Sequence, residues 1–154
     1  MDAEDQPTLV LGMCFLVSCV GKKGAIATRA RDLYASDWFR KARTYVEASQ
    51  LPWFILSAEH GLLAPDEVIS PYEKTLNRMG VAERRGWAKR VIAQMDSKLP
   101  TCDEIVLFAG ARYREFLMDY LGRRAQRVVV PLEGLRIGEQ LAWLNRHKPD
   151  VARA

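Results

Sequence analysis

Several motifs that identify enzyme classes are missing from this chain of 154 residues. It contains no Gly-x-x-x-x-Gly-Lys-Ser/Thr loop, no Gly-x-Ser-x-Gly elbow and no Gly-x-Gly-x-x-Gly dinucleotide fingerprint. The first absence argues against nucleoside triphosphate hydrolysis, because that chemistry uses such a loop to hold the phosphates. The second leaves no sequence support for a serine nucleophile.

Histidine and cysteine are scarce, with two histidines and three cysteines in the whole chain. Cys14 and Cys19 are five positions apart, and no Cys-x-x-Cys pair occurs. Zinc sites need closely spaced Cys and His ligands, so we predict no metal site and no bound cofactor. An odd number of cysteines, two of them in or beside a predicted strand, also predicts that no disulfide forms.

Long apolar runs are absent too, since no uncharged stretch reaches the roughly 18–20 residues that cross a membrane. The acidic segment Met1–Asp5 lacks the basic opening of a secretory signal, so we expect a cytoplasmic protein with no membrane partner. The composition, 49% hydrophobic and 27% charged, is that of a globular protein. We expect one domain over residues 1–154, with flexible ends at 1–7 and 148–154.

Strand and helix patterns alternate along the chain, which predicts an α/β fold with three layers and a mostly parallel central sheet flanked by helices. The helix predicted over 30–49 has an alternative, a break at Ser36 and Asp37 with Asp37 capping a helix that begins at Trp38. Residues 57–77 are predicted to be a long functional loop. Strands are predicted at 9–17, 53–57, 104–108 and 127–131, and further helices at 81–95, 111–121 and 137–145.

Chemically capable residues follow three of these apolar runs. In open α/β sheets the carboxyl ends of the strands are where ligands bind, so the pattern predicts one pocket at this edge. The groups in question are Ser18, Cys19, Lys22 and Lys23 after the first run, Ser57, Glu59 and His60 after the second, and Pro131, Glu133 and Gly134 after the third.

Three residues are candidates for catalysis. His60 precedes Gly61 after a strand, a position suited to proton transfer, although a turn histidine that satisfies backbone groups explains it as well. Asp32 and Glu133 offer carboxylates that stabilise a cationic sugar or orient water. Asp32 is equally explained as an acceptor at a helix start, and Glu133 as the partner of an arginine.

Other residues are candidates for ligand binding. Lys22 and Lys23, between Gly21 and Gly24, are placed to hold a phosphate. Ser18, Cys19 and Ser57 offer side-chain and backbone donors, and Tyr34, Trp38 and Tyr72 offer aromatic surfaces for stacking a base, an interaction worth ~1–3 kcal/mol. We favour Tyr72, because its position between Pro71 and the charged pair Glu73 and Lys74 argues against burial.

The formal charge is +4, and the basic residues occur in clusters. This distribution favours a polyanionic partner, either a nucleic acid or a nucleotide, although each cluster is also explained as a solvated helix face. The predicted nucleic-acid contacts are Arg84, Arg85 and Arg112.

Five segments together resemble a family of short bacterial and phage proteins: Leu-Val-Ser-Cys at 16–19, Ala-Arg-Asp-Leu-Tyr at 30–34, Leu-Ser-Ala-Glu-His-Gly-Leu-Leu at 56–63, Pro-Tyr-Glu-Lys-Thr-Leu at 71–76, and 131–141. The last segment supplies Gly138 and Gln140, which complete the predicted ligand-binding set. More distantly, the order of these elements resembles the YaaA peroxide-stress family, which implies DNA binding. The layout is also similar to Rossmann-like and uracil-DNA-glycosylase-like folds, which implies nucleobase chemistry.

Together these features predict a small enzyme that hydrolyses an N-glycosidic bond in a nucleobase-containing substrate, free or within nucleic acid. In the predicted mechanism the base stacks on Tyr72, the lysine loop holds a phosphate, and Asp32 or Glu133 acts with His60. Two alternatives are a non-catalytic DNA-binding stress-response protein and a nucleotide-sensing domain.

Overall fold

A five-stranded mixed sheet forms the centre of the computed structural model, which describes residues 11–19 and 21–149. Its strands are β1 (Leu11–Ser18), β3 (Trp53–Ser57), β4 (Gly61–Leu63), β6 (Cys102–Phe108) and β7 (Arg127–Val129). Their order in the sheet is β4-β3-β1-β6-β7, and every pairing is parallel except that of β3 with β4. A separate antiparallel pair joins β2 (Thr28–Arg29) to β5 (Val68–Ile69).

Helices flank this sheet, as the sequence predicts. They are α1 (Ala30–Leu33), α2 (Asp37–Ala48), α3 (Val81–Lys98), α4 (Ala111–Arg114), α5 (Met118–Arg124) and α6 (Ile137–Arg146), with a 3-10 turn at Leu76–Arg78. No helix in the described part of the chain is long and apolar enough to cross a membrane.

The central strand β1 is an apolar run that pairs on both sides. Phe15 lies opposite Trp53 of β3 and Val106 of β6, and residues 14–18 are all buried. Buried parallel strands have such continuous apolar sequences because both faces are covered. In the sheet, β3 lies on one side of β1 and β6 lies on the other side. The direction in which successive strands are added to the sheet therefore reverses between β1 and β6.

Two groups of helices complete the core. Tyr45 of α2 packs edge-on against Phe108, and Trp143 of α6 packs against both residues. Helix α3 buries Trp87 and Met95 among its inward-facing residues and lies against β4. These contacts fix both helix groups relative to the sheet.

The helix predicted over 30–49 is two helices in the structure, as in the alternative interpretation. The cap of the second is Ser36 rather than Asp37, because the Ser36 Oγ accepts the Phe39 N–H at 3.1 Å. The N–H groups in the first turn of a helix have no carbonyl partner within the helix, and a serine hydroxyl at this position accepts a hydrogen bond from one of them.

Two other predicted elements also differ from the structure. The predicted helix over 111–121 is divided into α4 and α5 near the buried Leu117, whose N–H donates to the Arg114 carbonyl. The predicted loop over 57–77 contains β4 and β5, whose partner strands supply the hydrogen bonds of their backbones.

Candidate functional site

Four polar side chains meet where β1 and β3 end. The Tyr72 Oη lies 2.7 Å from the Tyr34 Oη, 2.8 Å from the Ser57 Oγ and 3.3 Å from the Cys19 Sγ. Ser57 is the last residue of β3 and Cys19 follows β1, so the parallel pairing of these strands places them side by side. We call these four residues the tyrosine cluster.

The phenols of this region stay protonated at neutral pH. Burial raises the pKa of Tyr34 and of Tyr72, and it raises the pKa of nearby Tyr113 to about 12. A neutral phenol keeps its hydrogen as a donor. The hydroxyl hydrogens of Tyr34, Ser57 and Tyr72 are therefore enough to supply all three contacts of the cluster.

Beside the tyrosine cluster lies an open cleft of about 820 Å³. Cys19 and Tyr72 line it together with Tyr113 of α4. Cations and carboxylates share its walls, namely Lys23, Lys74, Arg78, Glu73 and Glu83. A cleft with a polar aromatic wall and charges of both signs suits a ligand that combines a ring with an anionic group.

Lys23 extends over the ring of Tyr72. Its Nζ lies 4.5 Å from the ring centroid, and a backbone bridge pairs Lys23 with Tyr34. Tyr72 is half-buried with its hydroxyl in the tyrosine cluster, so it is less exposed than the sequence suggests. A base stacks on this face only if Lys23 moves.

His60 lies beside the tyrosine cluster. Its backbone N–H donates to the Ser57 Oγ at 3.0 Å, and its ring stands edge-on to the Tyr72 ring, with 5.5 Å between centroids. The predicted proximity of His60 and Tyr72 is therefore present in the structure. The Gln94 amide holds this turn from α3, donating to the His60 carbonyl and accepting the Leu62 N–H.

Asp32 is not among the residues that line the cleft. Its carboxylate lies 2.8 Å from the Arg43 guanidinium and 3.0 Å from that of Arg29. These hydrogen bonds, chiefly the one from Arg43, hold the pKa of Asp32 below its usual value. The predicted convergence of Asp32 with His60 and Tyr72 is therefore wrong, because two arginines hold this carboxylate elsewhere.

The third predicted strand end borders a different cavity, of about 220 Å³. Glu133 lines it, is largely exposed and lies 3.3 Å from the Arg114 guanidinium. Gln140 lines the same cavity, and its side chain accepts the Trp38 indole N–H and donates to the Leu135 carbonyl. The three strand ends therefore border two cavities instead of the one predicted.

Gly138 lies in the first turn of α6, the helix that also carries Gln140. Ser18 and Lys22, which were also predicted to bind the ligand, are not among the residues that line the cleft. Ser18 is fully buried in β1, whereas Lys22 is exposed and its carbonyl accepts the Ala35 N–H. The buried Ser18 hydroxyl is not available to a ligand in the cleft.

The predicted nucleic-acid contacts fall into two groups. Arg84 is only 7% exposed, donates to the Met79 carbonyl at 2.6 Å and lies 3.3 Å from Glu115. Arg84 therefore joins α3 to residues before and after it in the same chain, and it does not present its charge to solvent. The prediction that Arg84 contacts a nucleic acid is wrong. Arg85 and Arg112 are both exposed.

Glu83 and Tyr113 belong to the cleft but were not predicted from the sequence. Glu83 is three residues into α3 and its Oε1 accepts the Gly80 N–H at 3.4 Å, so its pattern is that of a helix cap. Tyr113 has the pattern of a buried helical aromatic. In contrast, the segment Pro71–Leu76 was singled out by resemblance, and it supplies Glu73 and Lys74 to the cleft.

In the described part of the chain, no three Cys, His, Asp or Glu side chains are grouped as a metal site requires. The three cysteines are free thiols.

Similarity to other proteins extends over most of the chain. The family of unknown function DUF6884 matches residues 14–146, from within β1 to the end of α6. The uncharacterized protein YfjM of Bacillus subtilis strain 168 is 32% identical over 120 residues, which cover 77% of this chain and 79% of YfjM. No solved structure matches the chain. The chain belongs to the DUF6884 family of unknown function.

Proposed function

We propose that the cleft binds a nucleobase-containing substrate and that the protein hydrolyses its N-glycosidic bond. One observation carries the proposal: carboxylates and cations share one large cleft at the carboxyl edge of the sheet, against a wall of protonated tyrosines. Ligands of α/β proteins bind at this edge, and a nucleotide has the matching combination of a ring and an anion.

Glu83 is the carboxylate that we assign to the reaction. As the C–N bond breaks, its electron pair goes to the departing base and the sugar becomes cationic; a water molecule then adds to the sugar and loses a proton. A nearby carboxylate stabilises that cation, accepts the proton and passes it to the base anion, so that the base leaves neutral and the carboxylate is regenerated. The Gly80 N–H restrains one Glu83 oxygen and leaves the other for this role.

The cations of the cleft are assigned to the anionic part of the substrate. Lys23 and Arg78 line the cleft with Lys74. A phosphate in the cleft attracts the Lys23 ammonium away from the Tyr72 ring, and this movement exposes a face on which the base stacks. Substrate binding therefore prepares its own stacking surface.

We further propose that the chain is distantly related to the YaaA family and has a fold of the Rossmann-like or uracil-DNA-glycosylase-like type. Support for both comes from the order of the sequence segments and from the mostly parallel sheet. We also propose a cytoplasmic location, in keeping with three cysteines that are free thiols.

Release of free base tests this function. The protein is incubated with unmodified and deaminated DNA, RNA and nucleosides, and released bases are measured by mass spectrometry. We expect Glu83→Gln to lower the release rate by about 100-fold or more, because it removes the charge but keeps an oxygen for the Gly80 N–H.

Glu139→Gln is the matched control, because Glu139 caps α6 in the same way and is not among the residues that line the cleft. This variant should release base at the unchanged rate. Full activity in Glu83→Gln would contradict the assignment of Glu83. Salt-sensitive DNA binding without any base release would instead favour the non-catalytic alternative.

A further inference from the structure

A cavity of about 250 Å³, separate from the one at Glu133, adjoins the cleft, and we call it the second cavity. Lys74, Met79 and Glu83 line both cavities, so the two spaces share a wall. Glu83 therefore lies between them. On the proposed function, a sugar next to Glu83 has one neighbouring space on each side.

We propose that this second cavity is a subsite for the nucleotide adjacent to the one that reacts, and that the substrate is a single strand of nucleic acid. This inference rests on the proposed function, because it takes the cleft as the site of the reacting nucleotide. It distinguishes a strand from a free nucleoside, which needs only the cleft.

The walls of the second cavity have the chemistry that binds a flanking nucleotide. Trp87 and Gly86 of α3 line one side, with Arg90 of the same helix. The Trp87 indole is fixed because its N–H donates to the Ser57 carbonyl at 2.9 Å. An aromatic side chain, a residue without a side chain and a cation provide the apolar contact, the space and the charge that a nucleotide requires.

Cations continue from the cleft into the second cavity. Lys23 and Arg78 line the cleft, Lys74 lines both spaces, and Arg90 lines the second cavity. The Arg90 contacts to the Ala58 and Glu59 carbonyls use Nη2, whereas a guanidinium has five N–H donors in all. A series of cations along a groove suits successive phosphates better than it suits a single one.

Two side chains that line the cleft and the second cavity are in contact with each other in the protein interior. Trp87 of the second cavity packs edge-on against Tyr113 of the cleft, with 5.8 Å between ring centroids. Both rings are nearly buried, so their relative positions are set by the core. The two subsites therefore have a fixed separation, as recognition of adjacent nucleotides along one strand requires.

Gly86 gives a direct test. A Cβ added to Gly86 meets no atom within 4 Å, and Gly86 lines the second cavity, so we expect a leucine side chain there to extend into that cavity. Leucine also has a higher helix propensity than glycine, which favours folding of the variant. Gly122→Leu in α5 is the matched control, since an added Cβ there also meets open space.

The experiment compares the Kd of 2′-deoxyuridine 5′-monophosphate with that of a single-stranded tetranucleotide of deoxyuridine. Both are measured by calorimetry in the Glu83→Gln protein, so that turnover does not interfere. We expect the tetranucleotide to bind about tenfold more tightly or better, as one added base contact predicts. Gly86→Leu should abolish this preference and Gly122→Leu should retain it.

Equal affinity for the two probes, or a preference that persists in Gly86→Leu, would overturn the subsite while leaving the proposed function intact. Absence of saturable binding by either probe would overturn both. Base release is measured separately on the unsubstituted protein, so lack of release with an intact tetranucleotide preference would refute only the hydrolytic function.

Discussion

Tyr72 connects the segment 71–76 to the sheet through its hydroxyl, which contacts Tyr34, Ser57 and Cys19. Removing that hydroxyl leaves buried polar groups without their partner. We expect Tyr72→Phe to lower the free energy of unfolding by about 1–3 kcal/mol, measured by chemical denaturation. Tyr45→Phe is the control, because the Tyr45 ring is held by packing against Phe108 and Trp143; an equal loss there would contradict the role of the Tyr72 hydroxyl.

At the scale of single residues, the sequence predicted the chemical types that line the cleft but not which carboxylates line it. Asp32 and Glu83 are both acidic residues near helix starts, and each pattern fits a structural role. Their tertiary contacts differ, because Arg43 of α2 forms an ion pair with Asp32, whereas Glu83 lines the cleft. Those arrangements depend on helix packing, which one sequence does not reveal.

At the scale of elements, the turn between β3 and β4 positions His60 beside the tyrosine cluster. Gly61 has a φ of 74°, and a Cβ there would collide with the Gln94 amide that holds the turn. We expect Gly61→Ala to destabilise the protein by about 1–3 kcal/mol in thermal or chemical unfolding.

Gly122→Ala is the control for this substitution. Gly122 lies within α5, and an added Cβ meets no atom within 4 Å, so alanine should leave stability unchanged or raise it by up to about 1 kcal/mol. If Gly61→Ala were as stable as the parent protein, the turn would not depend on the glycine conformation.

Elements with strong local signals were predicted most accurately. The strand at 53–57 matches β3, and the helix predicted from Val81 begins there in α3. The short strands β4 and β5 were missed because their hydrogen bonds come from partners that the fold supplies. The same reason explains why residues 57–77 were predicted as one irregular loop.

At the scale of the whole molecule, the sheet brings the ends of β1 and β3 together, as the pattern of apolar runs predicts. The excess of positive charge gives less information, because many arginines are used within the fold. Arg43 lies 2.8 Å from Asp32, Arg84 lies 3.3 Å from Glu115, and Arg114 lies 3.3 Å from Glu133. The lysines that line the cleft, rather than the net charge, therefore support the proposed anionic ligand.

We propose that the cleft beside the tyrosine cluster, and not the smaller cavity at Glu133, binds the substrate. The most direct test is amide NMR of isotopically labelled Glu83→Gln protein titrated with 2′-deoxyuridine 5′-monophosphate. We expect saturable shifts at Gly24, Thr75 and Asn77 of the cleft, with Gly134 and Gln140 unchanged. Shifts confined to Gly134 and Gln140, or no saturable shifts at all, would contradict substrate binding at the cleft.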